Sequence, residues 1–146
     1  MRPTTIRSGS YINGPAIIAE GCEIGPQVVI NPSTSIGKNV RIGPFTEVKD
    51  SILMDDVSIG SGSVVANSVI GKGSNLGTRF TSLSGATSVE VEGEWHRVET
   101  VGSLIGDDVV VAGGVVVEPG TIVGAKCNIG AMVRLRGNIP NGSIVV

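Results

Sequence analysis

At 146 residues, with a formal charge of -2 and a pI near 5.3, the chain has the size of one domain. It lacks the concentrated basic surface that phosphate-backbone recognition needs, which excludes a nucleic-acid binder. Hydrophobic residues make up 40% of it but aromatics only 3%, and with 22 Gly and 7 Pro the apolar content is strand-forming Val and Ile punctuated by turns, which excludes long helices.

From the N-terminus, aliphatic residues recur every six positions at Ile6, Ile12, Ile18, Ile24, Ile30, Ile36, Ile42 and Val48. Two five-residue steps carry the register on through Leu53, Ile59, Val65, Ile70 and Leu76. Glycine follows the aliphatic residue at Gly25, Gly37, Gly43, Gly60, Gly71 and Gly77, and a small or β-branched residue stands four places after it, as at Cys22, Thr34, Thr46 and Ser63. Neither a helix nor a simple alternating strand has this period. It predicts a short strand and a tight corner, repeated, with the aliphatic residue pointing inward and Gly or Asn supplying a backbone shape that other residues resist. Three such strands make a triangular coil of about 18 residues, and stacked coils pair in parallel.

Between Ser82 and Val101 the period stops. Val89-Glu90-Val91-Glu92 alternates, Gly93 offers a turn and Trp95-His96-Arg97-Val98 returns, which predicts a hairpin at about 82–101 projecting from the stack. The register resumes at Ile105, Val111, Val117, Val123, Ile129 and Leu135, then fails at Asn138-Ile139-Pro140-Asn141-Gly142. Residues 137–146 are therefore expected to cap the last coil, because an uncovered end would be an open edge. The whole chain, 1–146, reads as one domain. Cys22 and Cys127 fall several coils apart, beyond disulfide reach, and are expected to be buried free thiols. The doublets Asp55-Asp56 and Asp107-Asp108 fall at corners, where Asp forms turns, and no metal site is expected. Nothing approaches the roughly 18 apolar residues of a membrane span and nothing resembles a signal peptide, so a cytoplasmic location is expected.

The repeat resembles that of the hexapeptide-repeat superfamily, which implies an all-β fold, a single-stranded left-handed parallel β-helix. Its carbonic anhydrase-like members hold zinc with three histidines, a set that one His cannot supply. A narrower resemblance runs through residues 6–15, Asn67-Ser68-Val69-Ile70-Gly71, Asn75-Leu76-Gly77 and Gly102-Ser103-Leu104-Ile105-Gly106. These stretches are similar to the C-terminal acetyltransferase domain of archaeal sugar-1-phosphate nucleotidylyltransferase/acetyltransferases. The resemblance implies acetyl-CoA as co-substrate, an amino-sugar phosphate as acceptor, a homotrimer, and a role in UDP-N-acetylglucosamine or related nucleotide-sugar synthesis. It covers the acetyltransferase half alone and so points to a separate nucleotidylyltransferase as partner.

Carried over position by position, the family's catalytic His corresponds to Ser61 in Gly60-Ser61-Gly62-Ser63-Val64, and a substrate-contacting Tyr to Val64. Lys49 matches a phosphate contact, Asn75 lies where the amino sugar would be, and Asn31 replaces a basic sugar-phosphate residue. The acetyl-CoA groove would run past Thr78, Ser103, Gly113 and Ala131, with Lys126, Arg134 and Arg136 near the CoA phosphates. A serine hydroxyl is no base near pH 7 without a partner to take its proton. His96 on the hairpin is the one other candidate base, if it reaches a neighbouring subunit's groove. Two readings stay open: an acyltransferase with altered catalytic groups, and a non-catalytic trimerising, scaffolding or ligand-sensing module.

Overall fold

A computed structural model describes residues 2–146; Met1, part of the expected domain, lies outside them. The period of six becomes a triangular stack of parallel strands, two or three residues each, with no helix among the described residues. Every third strand joins the same face. The first face holds eight strands from Thr5–Ile6 to Ile144–Val145. The second holds seven from Tyr11–Ile12 to Arg134–Leu135, and the third seven from Ala16–Ile18 to Asn138–Ile139. This is the parallel β-helix that the repeat predicts, left-handed as the resemblance implies.

Register explains the core. Ile24 pairs with Ile42, Ile42 with Ile59, Ile59 with Leu76, Leu76 with Val111 and Val111 with Ile129, so like residues stack on one another. Their side chains, with those of the other two faces, fill the centre of the triangle. Phe80 is the one ring inside. The small inward positions hold Cys22 and Cys127, both buried and free, with their sulfurs 3.1 Å from the Gly37 carbonyl oxygen and 3.0 Å from the Pro140 carbonyl oxygen. Among the described residues no strand packs beneath the first coil, and Ile6, though in register, is 48% exposed.

Two expectations change. The glycine after each aliphatic residue mostly does not need a left-handed backbone; it is required because the next coil passes too close. A Cβ at Gly60 would lie 2.5 Å from the Thr78 nitrogen, and one at Gly77 2.7 Å from the Ala112 carbonyl carbon. The left-handed residue comes two places later, and Asn39, Phe45, Arg79, Asp108, Lys126 and Met132 all adopt it with φ between 52° and 62°. Residues 137–146 do not form a separate cover either. Asn138 and Ile139 pair with Ile122 and Val123, and Ile144 and Val145 pair with Asn128 and Ile129. They make one more, shorter coil, because a tighter corner at Arg136-Gly137 shifts the period without ending the ladder.

The excursion is a two-stranded antiparallel hairpin, Gly85–Val91 and Glu94–Val101, closed at Glu92-Gly93, where both residues have positive φ (51° and 82°). Ser82, expected at its base, still belongs to the stack and pairs with Val117.

Candidate functional site

The three corners differ in what they expose. The first corner, between the first and second faces, brings together most of the residues expected to matter. Because Ile59, Leu76, Val111 and Ile129 are in register, the residues two places on, Ser61, Thr78, Gly113 and Ala131, form one column on successive coils. The Ser61 carbonyl accepts the Arg79 amide at 2.9 Å, the Thr78 carbonyl the Gly114 amide at 2.8 Å, and the Gly113 carbonyl the Met132 amide at 2.9 Å. These bonds fix the corner's backbone. Ser61, Thr78 and Gly113 line an open groove of about 520 Å³, together with Phe45, Gly62, Arg79, Gly114 and Met132. Its walls are small residues, backbone, two apolar side chains and one guanidinium. No His, Lys, Asp or Glu lines it. Arg79, Phe45 and Met132 were missed by the sequence reading; only the left-handed spacing two places after each glycine marks their column.

Asn75 lies on the first face just before this corner, exposed beside Ser58 and Val110. Asn31 and Lys49 are neighbours at the far edge of the second face, next to the second corner, with the width of that face between them and Ser61. Asn31 donates to Glu47 Oε1 at 2.9 Å and accepts from Asn13 at 3.3 Å, so its amide is already engaged. Lys49 is exposed.

The remaining expected residues lie elsewhere. Ser103 is buried at the second corner and does not face the groove. Its hydroxyl lies 3.3 Å from that of Ser68, and its amide donates to Ser68 Oγ at 3.0 Å. Arg134 projects from the second face and is paired with Glu118 at 2.6 Å. Lys126 occupies the third corner. Arg136 lines a different groove, about 530 Å³, between the hairpin and the second corner, with Val89, Trp95, Glu118 and Asn138. His96 is half exposed on the hairpin, 3.9 Å from Glu94, pairs across to Val89, and does not line the Ser61 groove of its own chain.

The aspartate doublets are turn formers, as expected. Asp55 Oδ1 accepts the Lys38 amide at 2.8 Å and Asp107 Oδ1 the Lys72 amide at 2.9 Å, while Asp56 and Asp108 take the left-handed position. Among the described residues no helix is long and apolar enough to cross a membrane.

Residues 12–123 match the family described as the GMPPB C-terminal domain. No curated protein sequence matches the chain. Among solved structures, the acetyltransferase domain of PglB from Neisseria gonorrhoeae, in complex with acetyl coenzyme A, superposes with a TM-score of 0.58 at 19% identity, over 97% of this chain and 53% of that one. A mutant perosamine N-acetyltransferase from Caulobacter crescentus, in complex with CoA and GDP-perosamine, gives 0.55 at 17% identity, over 98% and 52%. A mutant of AntD, an N-acyltransferase from Bacillus cereus, in complex with dTDP-4-amino-4,6-dideoxyglucose and Coenzyme A, gives 0.64 at 16% identity, over 93% and 78%. The chain thus spans about half the length of the first two, and at these identities the likeness is one of fold.

Proposed function

The chain belongs to the GMPPB C-terminal domain family, and from that premise we propose that it is an acyltransferase-type β-helix of nucleotide-sugar metabolism. In this reading the first-corner groove takes the thioester arm of acetyl-CoA, and an amino-sugar phosphate is the acceptor. The sugar amine attacks the thioester carbonyl; a C–N bond forms, the C–S bond breaks, CoA leaves as thiolate and the amine proton passes to solvent. Ser61 donates a hydrogen bond and positions the reactants, and catalysis rests on placement. Loss of a general base lowers such rates by about 10²–10⁴-fold. The observation that carries this reading is the single column of Ser61, Thr78, Gly113 and Ala131, the first three of which line one groove. The acceptor on the pathway to UDP-N-acetylglucosamine is glucosamine-1-phosphate, with Asn75 toward its amine; Lys49 of the same chain, the width of the second face away, does not share that groove.

The chain acts as a homotrimer in the cytoplasm, beside a separate nucleotidylyltransferase. Association of copies is supported by the third face, whose outward column of Ile17, Ile52, Leu104 and Ile122 is exposed and aliphatic. One observation favours the second reading, a non-catalytic scaffold or ligand sensor: the groove is lined by no group that titrates near neutrality.

CoA release from acetyl-CoA with glucosamine-1-phosphate, followed with a thiol-reactive dye, separates the two. The transferase reading expects slow native turnover, rising with pH until the acceptor amine is neutral. Ser61→His should raise it by about 10²–10⁴-fold and add an inflection near a pH of about 6.5. A native inflection at that pH, lost in His96→Ala, would place the base on a neighbouring copy. No turnover by either protein would leave the scaffold reading.

A further inference from the structure

One residue beyond Ser61 the first corner carries another column. In register along the stack stand Phe45, Gly62, Arg79, Gly114 and Met132, all with left-handed backbone (φ 61°, 71°, 57°, 74° and 62°). Large side chains alternate with none: the Arg79 side chain passes beside Gly62, and the Met132 side chain lies over Gly114, its sulfur close to where a Cβ there would sit. With coils about 4.8 Å apart, Phe45 and Met132 each stand roughly two coil steps from Arg79. Phe45 is 69% and Met132 80% exposed, a poor place for apolar side chains unless something covers them.

Arg79 is the only charged side chain on the groove, and none of the five ion pairs among the described residues includes it. A guanidinium is a planar fork of donors that fits a phosphate with two parallel bonds. The other cations are placed differently: Arg134 is already neutralised by Glu118, and Lys126 and Arg136 sit at other corners.

We propose that Arg79 receives a phosphate of the ligand held in the first-corner groove, with Phe45 and Met132 covering that ligand's apolar part. This rests on the groove being the ligand site and is independent of whether acyl transfer occurs there. The phosphate belongs either to CoA or to a sugar phosphate.

The test is titration calorimetry on the full chain with four probes: CoA, pantetheine, glucosamine-1-phosphate and glucosamine. The variants are Arg79→Gln, Arg79→Lys and, as a control, Arg134→Gln. Glutamine is compatible with the backbone, because Gln27 holds the same corner position at φ 55°; melting curves verify folding. Arg79→Gln should weaken a phosphorylated probe by about tenfold or more, and Arg79→Lys should restore part of the loss. Pantetheine and glucosamine should be insensitive to Arg79, and Arg134→Gln should bind as the native chain does. A loss confined to CoA assigns the phosphate to the acyl donor, and one confined to glucosamine-1-phosphate assigns it to the acceptor. The proposal is overturned if Arg79→Gln binds both phosphorylated probes normally, if neither binds the native chain at millimolar concentration, or if Arg134→Gln reproduces the loss. Failure of the transferase reading would register separately, as absence of CoA release with the Arg79 effect on binding intact.

Discussion

The first and second corners of the same triangle differ in how many buried hydroxyls close them from within: Ser63 alone donates back to its own turn at the first, four residues do so at the second. At the first, a glycine follows most of the inward aliphatic residues (Arg7 follows Ile6 and Ala112 follows Val111), the coils approach backbone to backbone, and what faces outward is main chain and small side chains around a groove, with Phe45, Arg79 and Met132 standing over it. At the second, the turn is closed from inside by hydroxyls. Thr34, Ser51, Ser68 and Thr121 each donate to a corner carbonyl two or three residues back, at 2.7 to 2.9 Å, and all are buried. A corner that presents backbone can receive a ligand. A corner sealed by hydroxyls can release the chain and take it back: Ser68 accepts the Ser103 amide, Gly102 donates to the Asn67 carbonyl at 2.9 Å, and the ladder resumes after a hairpin of two strands without a lost rung.

Enlarging a side chain at the first corner should do the most damage. Gly77→Val drives carbon into the Ala112–Gly113 backbone, for a cost of about 3 kcal/mol, or roughly 10 °C in melting temperature for a chain of this size. A melting temperature within a degree or two of the native value would mean the coils can part there. Next comes the hydroxyl seal: Ser68→Ala leaves the buried Ser103 amide without its partner, costing about 2 kcal/mol by chemical denaturation. The partly exposed Ser143→Ala should move less than about 0.5 kcal/mol, and equal costs at the two positions would remove the distinction between fully buried and partly exposed hydroxyls. Deleting residues 86–100 tests whether the second corner tolerates its insertion. The remaining stack should keep its far-UV spectrum and lose about 1 kcal/mol or less, since the hairpin strands pair with each other and with no strand of the stack. Smallest is Arg134→Ala, an exposed ion pair whose loss should change stability by no more than about 1 kcal/mol.

The scaffold was legible because a period of six has one structural meaning and the inward positions, Phe80 excepted, are occupied by aliphatic or small side chains. Ser61, Thr78, Gly113 and Ala131 were placed together because fixed register converts spacing along the chain into adjacency in space. Ser103 was misplaced for a local reason: beside the hairpin, spacing cannot say whether a small residue faces the groove or seals the corner, and here its amide and hydroxyl are taken by Ser68. The three C-terminal cations were assigned to one ligand although they fall on different sides of the triangle, a distinction that depends on counting corners through steps of five and four residues. Arg79 was overlooked because an isolated arginine after Gly77-Thr78 has no signature until the glycines at Gly62 and Gly114 are seen in register on both sides of it.

The most direct test of the ligand site is to map backbone amide shifts of the full chain on addition of CoA. Perturbations centred on Gly62, Thr78, Arg79 and Gly114 are predicted, with the hairpin silent. Shifts confined to Trp95, Gly120 and Ile122, beside the hairpin, would contradict the assignment and move the site to the second corner.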